Sequence, residues 1–229
     1  MTQLKYACIL LDFYGTLVEE DDAVIRRIVD EIARESLQRP SRAEVAKAWR
    51  FADLCASAFG DTFRTQRELE IASLSELITE FSCTLDAERL SQELFAYWSQ
   101  PKAFSESDRF LQDVGVPVCV VSNADDKDLE SAIAHNGWGL DTLVTSECCR
   151  SYKPRPEMFE KALNLMGVPR EQVLHVGDSW SPDVVGAFGF GVDIAWVNRK
   201  GRTIPASSDR TPHYVVPNLA ELMAQLDQT

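Results

Sequence analysis

The sequence predicts an α/β fold in which a parallel sheet is covered by helices on both faces and a block of helices is inserted after the first strand. Three observations lead there. Cys8–Leu11 is a short, unbroken apolar run ending on Asp12, as strands buried on both faces of a parallel sheet do. From Val116 onward, short apolar runs alternate with helical patterns, the signature of successive βα units. Between these regions, Ala23 to Trp98 carries helical spacing with no strand pattern of its own. That stretch therefore reads as an insertion rather than as part of the sheet.

Taken in order, Met1–Lys5 run straight into the first strand, which leaves no room for a cleaved leader. Asp12 stands at the carboxyl edge of that strand, where open α/β sheets bind ligands, and Gly15 permits a sharp turn just after it. An acidic loop, Glu19–Asp22, leads into roughly four helices. Ile25, Ile28, Val29 and Ile32 mark the first, and Ser41 with Glu44 is a capping box before the second. Ile71, Leu74, Leu77, Ile78 and Phe81 give a third, and Asp86 opens a fourth through Leu90, Leu94, Phe95 and Trp98. The alternating part follows. A helix near Glu106–Val114 precedes a strand over Val116–Val121, a helix Lys127–Asn136 and a short strand Asp141–Thr145. A helix Pro156–Met166, a strand Val173–Val176, a helix Val184–Phe190 and a strand Val192–Val197 come next. A last strand at Tyr214–Val216 and a helix Leu219–Leu226 complete the chain.

The composition narrows the function classes. With 229 residues, 45% of them hydrophobic and 26% charged, the chain has the make-up of a globular domain with a sizeable core. A net charge of −13 argues against nonspecific nucleic-acid or anionic-membrane binding. No apolar run approaches the ~18 residues of a membrane span. The six cysteines form no Cys-x-x-Cys pair and do not group with the three histidines, so they read as reduced, space-filling residues of a cytoplasmic protein rather than zinc ligands.

The polar residues at the strand ends are Asp12, Ser122 with Asn123, Lys153, and Asp178 with Asp183. Each alone has an ordinary explanation as a turn, a helix cap or a surface charge. Together, on one edge of one sheet, they form a constellation. Through Asp12-Phe13-Tyr14-Gly15-Thr16-Leu17, Ser122-Asn123, Lys153-Pro154 and Gly177-Asp178-Ser179-Trp180-Ser181-Pro182-Asp183, the chain resembles the haloacid dehalogenase (HAD) superfamily of hydrolases over almost its whole length.

The resemblance implies a three-layer αβα Rossmann-like core, residues 1–17 and 99–229, and a C1-type helical cap, residues 18–98. It implies that Asp12 is the nucleophile that takes the transferred group covalently. Ser122 would hydrogen-bond the electrophile's oxygens, and Lys153 would neutralise developing charge and hold Asp12 ionised. Tyr14, Gly15, Thr16 and Asn123 would contact substrate. Mg²⁺ would be held by Asp12, the Tyr14 carbonyl, Asp178 and Asp183. The implied partner is a small-molecule substrate.

Two motifs pull in different directions. Phosphatases of this superfamily usually carry a second aspartate two residues after the nucleophile, as general acid and base. Here that place is Tyr14, as in 2-haloacid dehalogenases, whose halide leaves without a proton. Yet such dehalogenases need no metal, whereas this chain keeps both Asp178 and Asp183, and it has Phe159 where a dehalogenase would have tyrosine. The preferred reading is a Mg²⁺-dependent phosphatase, because clustered carboxylates repel unless a cation sits among them. The alternative is a 2-haloacid dehalogenase or related carbon-centre hydrolase. A third reading is a noncatalytic module that retains an aspartyl-phosphate on Asp12. In the cap, Lys47, Arg50 and Arg64 are candidate substrate contacts, while Trp49, Phe51 and Phe59 read as cap core.

Overall fold

The computed structural model describes residues 5–227. The expected direct run from the N-terminus into the first strand thus lies outside the described residues for Met1–Leu4. Strand β1 (Cys8–Leu11) is buried along its full length. Five helices follow it: α1 (Asp22–Glu35), α2 (Arg42–Ala48), α3 (Phe51–Ser57), α4 (Gln66–Glu80) and α5 (Ala87–Ser99). Then come α6 (Ser107–Asp113), β2 (Val118–Ser122), α7 (Asp126–Asn136), β3 (Leu143–Thr145), α8 (Ser146–Cys149) and α9 (Glu157–Met166). The remainder is β4 (Val173–Gly177), a wide π-type turn over Trp180–Val185, α10 (Gly186–Phe190), β5 (Asp193–Val197), β6 (Tyr214–Val216) and α11 (Leu219–Leu226).

The six strands form one sheet in the order β3-β2-β1-β4-β5-β6, and every neighbouring pair is parallel. Alternation along β1 sends its side chains to opposite faces. Ile9 and Leu11 join Phe110, Leu129, Leu222 and Leu226 of α6, α7 and α11. Cys8 and Leu10 join Met158, Phe159, Ala187 and Phe190 of α9 and α10. The sheet is thus covered on both sides, the three-layer arrangement the sequence predicts. Because β1 lies between β2 and β4, the carboxyl ends of three strands open onto one crevice.

The inserted helices have an apolar cluster of their own, in which Ile28, Ile32, Leu74, Leu77, Leu90, Leu94 and Phe95 meet. The predicted Ser41–Glu44 capping box is present, and Thr65 with Glu68 forms a second at the start of α4. The core also anchors α4. Asp125, just before α7, accepts from the Gln66 and Arg67 main-chain N–H groups at 2.7 and 3.0 Å. Arg67 Nε donates to the buried Asp128 at 2.7 Å. These bonds hold α4 above the carboxyl edge of the sheet.

Three local departures have physical causes. β2 begins at Val118 rather than Val116, because Pro117 has no N–H for the ladder. Its carbonyl still accepts from Ile9. The short helix α3 escapes a pattern reading because it buries no residue and Arg50, just before it, supplies no side-chain cap. The expected helix from Val184 starts earlier, as the π-type turn, because Asp183 folds inward to bond the Ser179 N–H at 2.9 Å. Among the described residues, no helix is long and apolar enough to cross a membrane.

Candidate active site

Asp12 lies one residue beyond β1, and its N–H donates to the Val176 carbonyl at 2.8 Å, extending the ladder to the sheet edge. The chain then turns on Gly15, at φ +80°. A Cβ there would lie 2.6 Å from Asp178 Oδ1, so only glycine lets this loop close on the fourth motif. Arg199 secures the loop from behind, donating to the Gly15 and Thr16 carbonyls at 3.1 and 2.7 Å and pairing with Glu106 at 2.7 Å. Nothing in the local sequence pattern marks Arg199, since its partners lie 93 to 184 residues away.

Four side chains meet at the centre. Lys153 Nζ donates to Asp12 Oδ1 at 2.7 Å and to Asp183 Oδ1 at 2.6 Å. One oxygen each from Asp12, Asp178 and Asp183 falls within a 4.8 Å span, and all three residues are buried. Thr16 Oγ1 donates to Asp12 Oδ2 at 3.2 Å. His175, fully buried under the sheet edge, bonds Asp183 Oδ1 through Nε2 at 3.0 Å. Gly177 makes room for this, since a Cβ at that position would meet Asp183 at 2.3 Å. Ser122 ends β2 and lines the same cavity. Asn123 also borders it, but its amide is engaged with the Lys153 main chain: Oδ1 accepts from the N–H at 2.7 Å and Nδ2 donates to the carbonyl at 3.2 Å. Its visible task is to hold the lysine loop against β2.

The charges do not balance on their own. Burial lifts Asp12 to about 6 even though Lys153 pulls the other way. Burial and the two neighbouring carboxylates push Asp178 well above the ordinary range. Asp183 is held low: burial opposes this, but the Lys153 ammonium and the His175 bond outweigh it. Lys153 keeps its proton, raised to about 12, because Asp12 and Asp183 overcome the cost of burying it. Three carboxylates with one ammonium among them could hold a hard divalent cation through their oxygens.

Tyr14 lines the cavity, but its hydroxyl donates to the Trp98 carbonyl of α5 at 2.6 Å. Burial and surrounding carboxylates raise it well above 10. It is therefore a neutral tie between loop and cap rather than an available acid or base.

Over this centre lies a cavity of about 500 Å³. Lys47, Arg50 and Arg64 do not line it, whereas Trp49 and Phe51 do while also packing against the cap core as expected. Arg64 instead donates to the Glu68 carbonyl, and Phe59, expected in the cap core, is 47% exposed beneath Arg155. The cavity also takes in Asp21, Glu70 and Trp98. Sequence reasoning missed Glu70 because no local signal marks it among Leu69, Ser73, Leu74 and Leu77 on the buried face of α4.

A strand-end aspartate, a lysine bonded to it and two further carboxylates thus meet at the carboxyl edge of a parallel sheet. The family model for haloacid dehalogenase-like hydrolases matches residues 6–191, and the chain belongs to that family. It is 27% identical over 224 residues to an (S)-2-haloacid dehalogenase of Pseudomonas putida, covering 93% of each chain. With the (S)-2-haloacid dehalogenase H-109 of the same organism it shares 32% over 117 residues, about half of each chain (50% and 51%). A shorter match, 34% over 88 residues, is to human N-acylneuraminate-9-phosphatase, covering 38% of this chain and 35% of that one. The fold matches the crystal structure of the L-2-haloacid dehalogenase RSc1362, with a TM-score of 0.78 at 20% identity and 97% and 99% coverage. The whole-length likenesses thus favour dehalogenases, the reading placed second from the sequence, over the phosphatase reading placed first.

Proposed function

We propose that the protein hydrolyses a small phosphate ester through a covalent intermediate on Asp12, with Mg²⁺ as cofactor. Whole-chain likeness weighs toward dehalogenases, but chemistry is carried by the groups at the reacting atoms rather than by the fold. The observation that carries this reading is the carboxylate of Asp178 within 4.8 Å of Asp12 and Asp183, with only Lys153 to offset the three.

In this account Asp12, Asp178, Asp183 and the Tyr14 carbonyl would hold Mg²⁺, which when bound would supply positive charge against the phosphate so that an anionic nucleophile could approach. Asp12 attacks phosphorus, and the substrate's alcohol oxygen departs with the bonding pair. Lys153 keeps Asp12 ionised and offsets charge on the transferring group. Ser122 donates to a phosphoryl oxygen. Water then attacks phosphorus and returns the Asp12 carboxylate. Tyr14 occupies the place two residues after Asp12 and its hydroxyl is tied to Trp98, so the acid–base group expected at that place is missing and good leaving groups should be favoured. The helical insertion, which we place at residues 18–98, covers the site and selects the substrate.

The second reading, 2-haloacid dehalogenation, is supported by the whole-length relatives and by Tyr14, since halide needs no proton. Against it, Lys153 is the one basic residue lining the cavity among the described residues. It is already shared by two carboxylates, which leaves no free cation for a haloacid's carboxylate.

The test is turnover of 4-nitrophenyl phosphate, alkyl phosphates and 2-chloropropionate, each with Mg²⁺ and with chelator. Mg²⁺-dependent phosphate release supports the proposal. Chelator-resistant halide release would replace it with the second reading. A stable Asp12 adduct without turnover would favour a phosphoacceptor module.

A further inference from the structure

The cap side of the cavity differs chemically from its floor. Glu70 of α4 is 2% exposed, lines the cavity, and its Oε1 has no hydrogen-bond partner. A buried acceptor in that condition costs free energy unless a ligand donates to it. Aromatic rings surround the same space. Trp98 and Phe51 lie with centroids 6.2 Å apart. The Trp98 indole is fixed by donating to Asp21 Oδ2 at 2.7 Å, and the Trp49 indole by donating to Ser73 Oγ at 3.1 Å. Asp21 adds a second carboxyl to the lining.

We propose that Glu70 and Asp21, with the faces of Trp49, Phe51 and Trp98, recognise a protonated amine at the end of the substrate remote from Asp12. Aromatic faces attract cations, and more strongly once water is excluded. Glu70 Oε1 is itself covered, so the carboxyl must turn toward the cavity to accept an amine N–H, a bond that a quaternary ammonium cannot form. Charge is consistent with this. Burial, with Asp21 nearby, raises Glu70 to about 8, although Trp49 and Ser73 favour its ionised form. An ammonium bound beside it would favour that ionised form, and the cavity's one lysine, Lys153, is engaged below. The substrate class becomes an aminoalkyl phosphate ester, which rests on the phosphatase reading for the phosphate end only.

The experiment separates the two ends. Calorimetric titration of n-butylammonium and of 1-butanol into the full-length protein reads the cap site without any reaction. The ammonium should bind at least tenfold more tightly, and Glu70→Gln should bring the two within about threefold. In parallel, kcat/KM for 4-aminobutyl phosphate should exceed that for pentyl phosphate at least tenfold, again with the preference lost in Glu70→Gln. If ammonium binds with this preference but neither ester is turned over, the inference stands and the phosphatase reading falls. If both esters are cleaved equally and butanol binds as well as butylammonium, the inference is overturned while the phosphatase reading survives. Should Glu70→Gln fail to fold, the wild-type preference between charged and neutral probes decides alone.

Discussion

Replacing Asp178 with asparagine isolates the cation requirement, because Asp178 lies beside Asp12 and Asp183 but makes no bond to Lys153. With carboxylate oxygens up to 4.8 Å apart, each ionised pair repels by about 3.5 kcal/mol at an effective dielectric of 20. Mg²⁺ at about 100 times its Kd should therefore stabilise the wild type by ~2.7 kcal/mol. In a domain of this size that is roughly 5–11 °C in Tm. Asp178→Asn removes one ligand charge. A tenfold loss of affinity would cut the stabilisation at the same Mg²⁺ concentration by about 1.4 kcal/mol, roughly 3–6 °C. Differential scanning fluorimetry at pH 7.5, with Mg²⁺ and with EDTA, measures both shifts. Equal Mg²⁺ shifts in the two proteins, or none in the wild type, would refute the reasoning.

Three further outcomes are expected. Asp12→Asn should fold normally and lose turnover on every substrate, and near-normal rates in that variant would remove the covalent mechanism. Tyr14→Asp should restore an acid–base group and raise alkyl phosphate hydrolysis by up to about 10²-fold, less what is lost with the Trp98 bond and the tyrosine's packing. A folded, Mg²⁺-binding variant with no gain would contradict the account of Tyr14. The folded-state pKa of Glu70, about 8, lies above its unfolded value of about 4.3, so the native state holds the extra proton and stability declines as pH rises between those values. Glu70→Gln should therefore gain on the wild type as pH rises from 6 to 8 in thermal melts, by up to about 1.4 kcal/mol per pH unit, and parallel pH curves would contradict this.

Much of the fold was legible because its signals are local. The apolar run of β1, the helical spacing of the insertion and the Ser41–Glu44 box each need only a few adjacent residues. The strand-end polar residues were legible for the same reason, since each sits where an apolar run stops. What stayed hidden depends on distant pairings. Arg199 gains its task only when β5 brings it behind the Gly15 turn, and Asn123 only when the Lys153 loop folds against β2. Glu70 looks like one polar position on a helix until α4 is anchored to Asp125 and Asp128 above the site. Trp49 and Phe51 satisfy an apolar pattern equally well in a core or in a cavity wall. The sequence pattern also cannot say where Tyr14's hydroxyl goes, and its bond to Trp98 bears on the leaving-group chemistry.

The central claim is that Asp12 attacks phosphorus rather than carbon, and the fate of solvent oxygen tests it most directly. An acyl phosphate hydrolysed at phosphorus places the water oxygen in the released phosphate. An alkyl ester hydrolysed at its carbonyl places that oxygen in Asp12 itself. The protein would be turned over in H₂¹⁸O with 4-nitrophenyl phosphate plus Mg²⁺, and separately with 2-chloropropionate, followed by mass spectrometry of the phosphate and of the Asp12 peptide. The account predicts ¹⁸O in phosphate and an unlabelled Asp12 peptide in both reactions. Labelled Asp12 after incubation with 2-chloropropionate, with no labelled phosphate from the ester, would contradict it.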